Sequence, residues 1–207
     1  MTNRDGRTGR PPLTERRKAA TRLEIAREAV RLFTANGVAA TSAEEIAAAA
    51  GISARTLWRY FPNKESCVEP MLTAGIDMTR RALGTWSPGG GVAGLLDELE
   101  RNNRRSVADL PVLLDLVRLT RTEPGLRAVW LRAHADAEPV FAAEVGRGAG
   151  LPGEDLSVRV RAVMINSALR VAVEHYAFHT DPAHADEAGV IDAVRAALLT
   201  VDRGLAE

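Results

Sequence analysis

Between Ser42 and Lys64 the chain reads S-A-E-E-I-A-A-A-A-G-I-S-A-R-T-L-W-R-Y-F-P-N-K. Arg55 and Arg59 stand four residues apart, about one helical turn, with Thr56, Trp58 and Tyr60 beside them. Arginine forms bidentate hydrogen bonds to guanine O6 and N7, and the methyl group of an alanine or threonine can touch a thymine methyl. Hydroxyls at Ser42, Thr56 and Tyr60 and the ammonium of Lys64 suit phosphate oxygens, which position a protein on a duplex without reading sequence. The chemistry these residue types point to is recognition of double-stranded DNA.

Such a reading segment must be held rigidly. Ser42 with Glu45 forms the pattern of a capping box, which starts a helix whose inner face is Ile46, Ala47 and Ala50. Gly51 permits a sharp turn, and Ser53 caps a further helix through about Tyr60. Ile46, Ala47, Ile52, Leu57 and Phe61 supply the packing. Upstream, a helix is predicted from Thr14 to about Asn36, with Leu23, Ile25, Ala26, Ala29, Val30, Leu32 and Phe33 near a 3.6-residue period. Pro62 breaks the chain, and a long helix is predicted from Lys64 to about Leu83.

Charge divides the chain. Residues 1–64 hold twelve Lys+Arg against six Asp+Glu, whereas residues 65–207 hold fifteen against twenty-one, so a net charge of zero conceals a basic front and an acidic remainder. That asymmetry suits a nucleic-acid-binding head on a body with another task. Residues 1–13 are polar, with two glycines and two prolines, and read as a disordered basic arm. Arg7 and Arg10, in R-T-G-R-P-P, are its candidate minor-groove contacts; the alternative is a solubilising tail. A single cysteine, Cys67, excludes an intramolecular disulfide and fits a cytoplasmic protein. No apolar run approaches the roughly 18 residues of a membrane span, so no membrane partner is expected.

The expected fold is all-α, with about nine helices and no sheet. The expected organisation is an arm over 1–13, a three-helix helix-turn-helix head over 14–64 and a larger body over 65–207. Ser87 to Gly91 reads as a flexible joint. Helical periodicity resumes over 92–107, 111–122 and 124–147, Gly146 to Gly153 reads as a loop, and two helices close the chain at 154–179 and 184–204. The first of these carries the stripe Leu156, Val160, Val163, Met164, Ser167, Ala168 and Val171. The second carries Val190, Ile191, Val194, Ala197, Leu198, Val201 and Leu205.

The segment T-x-x-E-I-A-x-x-A-G-I-S-x-x-T-L-W-R-Y-F-x-N-K, from Thr41 to Lys64, closely resembles the TetR family of bacterial repressors. The resemblance is specific over about residues 18–70. It implies a homodimer, joined through the last two helices, that binds a palindromic operator and holds a small-molecule effector in its body. By position, Ala54, Arg55 and Arg59 match base-facing sites, and Ser42, Thr56, Trp58, Tyr60 and Lys64 match backbone-contacting ones. Trp58 could instead pack on the first helix. Large apolar or amphipathic residues of the body, namely Trp86, Leu114, Val117, Trp130, His134, Phe141, Met164 and Tyr176, are the candidate effector pocket. The runs L-T-R-T-E-P-G-L-R-A (119–128) and R-x-x-x-E-H-Y (170–176) look like those of an actinobacterial TetR subgroup that includes the regulator of mycofactocin genes. That likeness would suggest an acyl-CoA or lipid-like effector.

Two other readings of the residues stand beside this one. His175 and His179, an i, i+4 pair followed by His184, could serve a metal-responsive regulator. An architectural DNA binder without an effector would need less body than this chain has. Catalysis is not expected. There is no G-x-S-x-G, H-E-x-x-H or P-loop, and the glycines at 146, 148 and 150 neither follow a strand nor keep nucleotide-loop spacing. No cofactor is expected.

Overall fold

Ile25, Ala26, Ala29, Val30 and Phe33 are all buried, and this stripe folds the first helix onto the rest of the molecule. In the computed structural model, which describes residues 13–103 and 109–204, it forms α1 (Leu13–Asn36). Gly37 ends it at φ +82, where a side chain would be strained. Two seven-residue helices follow, α2 (Ala43–Ala49) and α3 (Ala54–Tyr60), with a turn between them in which Gly51 adopts φ +66.

Lys64 does not start the next long helix. A 3-10 turn, Glu65–Val68, comes first, and α4 (Glu69–Thr85) starts with Pro70 in its opening turn. Proline has no N–H to donate and is tolerated only where an N–H would go unpaired, so the regular helix begins there. The body continues with α5 (Gly91–Asn103), α6 (Leu110–Leu119), α7 (Pro124–Ala149), α8 (Leu156–His179) and α9 (Glu187–Arg203). Among the described residues there are nine α-helices and no strand. α8 lies between α7 and α9, α4 packs on α5 and α7, and α6 packs on both α8 and α1.

Two expected irregular segments are ordered instead. Ser87 to Gly91 contains a 3-10 turn, Pro88–Gly90, and Trp86 closes it by donating from Nε1 to the Gly91 carbonyl at 3.0 Å. The predicted loop at 146–153 begins later, because α7 runs through Gly146 and Gly148 to Ala149. These two glycines permit close packing. A Cβ at Gly146 would lie 2.7 Å from the Leu151 carbonyl oxygen, and one at Gly148 would lie 3.2 Å from that of Trp86. Gly150, at φ +68, is the true helix stop.

The core has two parts. One joins α1, α2 and α3 to α4, α6 and α7 through Phe33, Ile46, Leu57, Phe61, Leu114 and Leu126. The other lies within the body around Leu83, Leu95, Phe141, Val158 and Leu198. The first three helices therefore share one apolar cluster with the body.

Glycine substitutions should separate packing from propensity. A Cβ at Gly75, within α4, would meet nothing within 4 Å, so Gly75→Ala should stabilise by about 1 kcal/mol through helix propensity alone. Gly146→Ala should destabilise by about 1–3 kcal/mol, because the obstruction is backbone. Urea midpoints with unchanged slopes would measure both. Equal effects at the two sites would show that the Gly146 contact is not a constraint.

Candidate nucleic-acid interface and body cavity

The predicted capping box is formed. Ser42 Oγ accepts from the Glu45 amide at 3.2 Å, while Glu45 Oε2 accepts from the Ser42 amide at 2.7 Å and from its hydroxyl at 2.8 Å. The Ser42 amide and hydroxyl hold the Glu45 carboxyl below the usual carboxylate range. Ser53 caps α3 by accepting from the Thr56 amide at 3.2 Å, and its hydroxyl also meets that of Thr56 at 2.9 Å. Leu57 and Phe61 are buried, which turns Arg55, Trp58 and Arg59 to the outside. Trp58 is 45% exposed, so it does not pack into the core. The Arg59 guanidinium lies 5.4 Å from the centroid of the Tyr60 ring. Arg55 and Arg59 form no ion pair among the described residues, so their N–H groups are available. Ala54, Thr56 and Tyr60 belong to the same helix, with Ala54 and Tyr60 half-buried.

Lys64 has a second role that its spacing did not show. Its ammonium donates to the carbonyls of Val38 and Thr41, at 2.6 and 2.9 Å. Thr41 in turn donates to the Gly37 carbonyl at 2.8 Å. Lys64 thus fastens the α1–α2 connection to the segment that follows α3, with two of its three N–H groups engaged.

Polar contacts join this unit to the body. Arg27 of α1 grips Asp109, just before α6, with two of its guanidinium nitrogens, at 2.7 and 2.8 Å. Arg22 lies over the Phe61 ring at 5.2 Å and reaches Glu69 of α4 at 3.6 Å. Asp109 also edges a cavity of about 180 Å³ lined by residues of the body helices. Most of its wall is apolar, and Trp130, His134, Phe141 and Asn166 are among the residues that line it. Trp130 donates to Glu174 at 2.6 Å, and Arg127 and Arg170 reach the same carboxylate at 2.7 and 3.0 Å. Burial would push the Glu174 carboxyl up, but the Trp130 hydrogen bond and the two arginines outweigh it and hold it low. Burial also keeps the His134 imidazole below its ordinary value, despite a hydrogen bond with Asn166.

Residues 25–71 match the family model described as bacterial regulatory proteins, tetR family. The match spans the first helices, and over them the chain is similar to DNA-binding transcriptional regulators of the TetR type. Among curated proteins it is similar to the HTH-type transcriptional regulator TcmR of Streptomyces glaucescens, with 26% identity over 152 residues, 70% of this chain and 67% of that protein. Two solved structures share the fold. The fatty acid degradation regulator FadR from Bacillus halodurans is 21% identical, with a TM-score of 0.58 over 89% of this chain and 96% of its own. FadR from Thermus thermophilus, a TetR family repressor in complex with lauroyl-CoA, is 22% identical, with a TM-score of 0.53 over 89% and 94%. The matching family model and the curated relative describe transcriptional regulators and not enzymes.

The eight residues predicted for the pocket separate. Trp130, His134 and Phe141 line the cavity. Leu114 and Val117 are buried in the cluster shared with the head. Trp86 closes the Pro88–Gly90 turn, and Met164 lies exposed on the outer side of α8. The Tyr176 hydroxyl accepts from the Asp186 amide at 2.9 Å and ties α8 to the start of α9. Large apolar residues at helical spacing do not reveal which side of a helix meets a void. Asn166 was missed, although a lone amide among apolar residues of α8 was a usable signal. The α9 stripe at Val190, Ile191 and Val194 also faces the cavity. Arg7, Arg10 and Leu205 lie outside the described residues.

The other candidates are accounted for by their surroundings. His175 and His179 have ring centroids 4.4 Å apart, but His179 Nδ1 lies 2.8 Å from the His175 carbonyl. His184 sits beside Asp181 at 3.9 Å, and among the described residues no three His, Cys, Asp or Glu gather as a metal site would require. Cys67 is buried, which with the nearby Glu65 charge pushes its thiol up to about 12. No helix among the described residues is long and apolar enough to cross a membrane.

Lys64→Met should lower the stability of the DNA-free protein by about 1–3 kcal/mol, the range for charge-assisted hydrogen bonds to carbonyls left unpaired. The urea midpoint measures this. An unchanged midpoint with weaker DNA binding would instead assign Lys64 wholly to phosphate.

Proposed function

We propose that this chain is a ligand-responsive repressor that binds a palindromic operator as a homodimer, acting in the cytoplasm where the DNA lies. Arg55 and Arg59, with Ala54, are its base-reading set. Ser42, Thr56, Trp58, Tyr60 and the remaining N–H of Lys64 contact the backbone. The observation that carries the regulatory part is the Arg27–Asp109 fork, since Asp109 belongs both to the cavity edge and to the contact with α1. A ligand between α4 and α6 thereby acts on the elements that hold the reading unit. Two half-sites in successive major grooves lie about 34–36 Å apart, so a shift of a few Å in head separation forfeits one of them. A bias of a few kcal/mol between the two spacings is enough for a switch.

The outer face of α8 supports dimerisation. Leu156 is 76% exposed and Val171 50%, with Val160, Val163 and Met164 exposed between them at helical spacing. An apolar stripe of this length on a surface helix is the expected seam of a four-helix bundle with a second copy. For the effector, FadR from Thermus thermophilus offers the precedent of a bound acyl-CoA on the same fold. The subgroup likeness rests on the runs 119–128 and 170–176, which contain Arg127, Arg170 and Glu174 of the cluster behind Trp130.

Arg55→Ala should narrow the gap between operator and random DNA by about 1–3 kcal/mol. Fluorescence anisotropy on both duplexes at one salt concentration tests this, and an undiminished gap removes Arg55 from the base-reading set. Val160→Asp with Val171→Asp should convert a dimer into a folded monomer with much weaker operator binding. A double variant that still sediments at twice the chain mass would place the dimer seam elsewhere.

A further inference from the structure

Most of the body's exposed large apolar side chains gather on one side. Five stand on α8, from Leu156 to Val171, and Leu151 lies in the short link before it. Leu131, 42% exposed, extends the patch onto α7. It lies four residues after Arg127 and three before His134, whose side chains meet Glu174 and Asn166 of α8. Leu131 therefore occupies the flank of α7 that borders α8. Among the described residues α9 adds no exposed large apolar side chain. Its Val190, Ile191 and Val194 face the cavity and Leu198 is buried. Its outer side carries Asp192, Arg195, Ala196, Thr200 and Arg203.

The same patch holds a groove of about 420 Å³ between α7 and the start of α8, with Pro139, Ala142, Ala143 and Val163 as its apolar lining. Beside the groove Leu156 stands out as a ridge, 76% exposed. An isologous interface, in which two copies present the same patch to each other, needs a ridge and a matching recess on one surface. This patch has both. It is also matched in charge: Glu138, Glu154 and Arg159 line the groove, and none of them forms an ion pair among the described residues. Paired with itself, such a patch brings base to acid on both sides of the axis.

We propose that a second copy of this chain docks on the α7–α8 face, with Leu156 of each copy seated in the groove of the other. This rests on the homodimer reading above and deepens it: α7, and not α9, stands beside α8 in the seam. A two-fold rotation must carry Leu156 onto the partner's groove and that groove onto the partner's Leu156. Val163 of the groove lies about 10.5 Å beyond Leu156 along α8, so the axis passes α8 midway between them. Val160, 47% exposed, stands there and faces its own copy. Glu154, two residues before Leu156, follows it to the groove rim, where the unpaired Arg159 of the other copy stands. α7 also carries Trp130, His134 and Phe141 of the cavity wall, so seam and cavity share one helix.

Cross-linking and sedimentation of the full-length protein test the proposal. Val160→Cys should form a disulfide-linked dimer on mild oxidation at micromolar concentration, since a residue on the axis lies within disulfide reach of its copy. Ala196→Cys, on the outer side of α9, should stay unlinked. The native Cys67 is buried, with its thiol pushed up to about 12, and does not compete. Ala143 and Ala196 are both exposed in the single chain. Ala143→Arg should raise the dimer dissociation constant at least about a hundredfold, tenfold for each of the two obstructed grooves. Ala196→Arg should leave it unchanged. The cross-linking result stands by itself if Ala143→Arg fails to fold. A linked Ala196→Cys dimer, an unlinked Val160→Cys protein that sediments as a dimer, or a folded Ala143→Arg protein that dimerises as the wild type does overturns the α7–α8 seam and leaves the homodimer reading intact. A wild-type chain that sediments as a monomer at micromolar concentration overturns both.

Discussion

A seven-residue helix has no stability of its own in water, because nucleating a helix fixes several residues before hydrogen bonds repay the lost freedom. Helix α3 is that short, so its existence depends on the burial of Leu57 inside it and Phe61 at its end. Both belong to the cluster that joins the first three helices to α4, α6 and α7. The exposed side of α3 is therefore positioned by the body as much as by its own turn. Lys64 adds to this from the other end by gripping the α1–α2 connection. A helix with so little intrinsic stability follows whatever moves its support.

The body supplies two kinds of contact. Apolar packing among α4, α7, α8 and α9 tolerates small shifts. Forked ion pairs and buried amides have discrete partners and do not. Arg27–Asp109 and the Asn166–His134 pair are of the second kind, and one lies at the edge and the other on the wall of the same cavity. Glu174, with Trp130 and two arginines around it, fixes the indole that borders the cavity. The cavity thus has a soft apolar wall with a few rigid polar points, and one of them, Asp109, connects to α1.

The head was legible from the residues because its signals are local. Ser42 with Glu45, Ser53 with Thr56 and the glycine at 51 each act within four residues, and the structure places each where the pattern required it. The nine-helix, strand-free architecture of the described residues was legible for the same reason. Misreadings occurred where one residue serves a distant contact. Gly146 and Gly148 read as loop formers, yet they lie in α7 because the chain at Leu151 and Trp86 passes against them. The start of α4 moved past Lys64 because Pro70 sets where the regular helix begins.

The sequence by itself determined that α3 turns Arg55 and Arg59 outward, since periodicity and capping decide which side of a short amphipathic helix is buried; the side taken by Trp58 was left open and is decided by its exposure in the structure. Only the tertiary structure decided that Lys64 binds two carbonyls, that Trp130, His134 and Phe141 share a cavity with Asn166 while Leu114 and Tyr176 do not, and that Asp109 reaches back to α1. The reason is physical. A helix pattern specifies a face, but the neighbour against that face, and any void between them, is set by how separate helices cross, and crossings depend on side chains far apart in the chain.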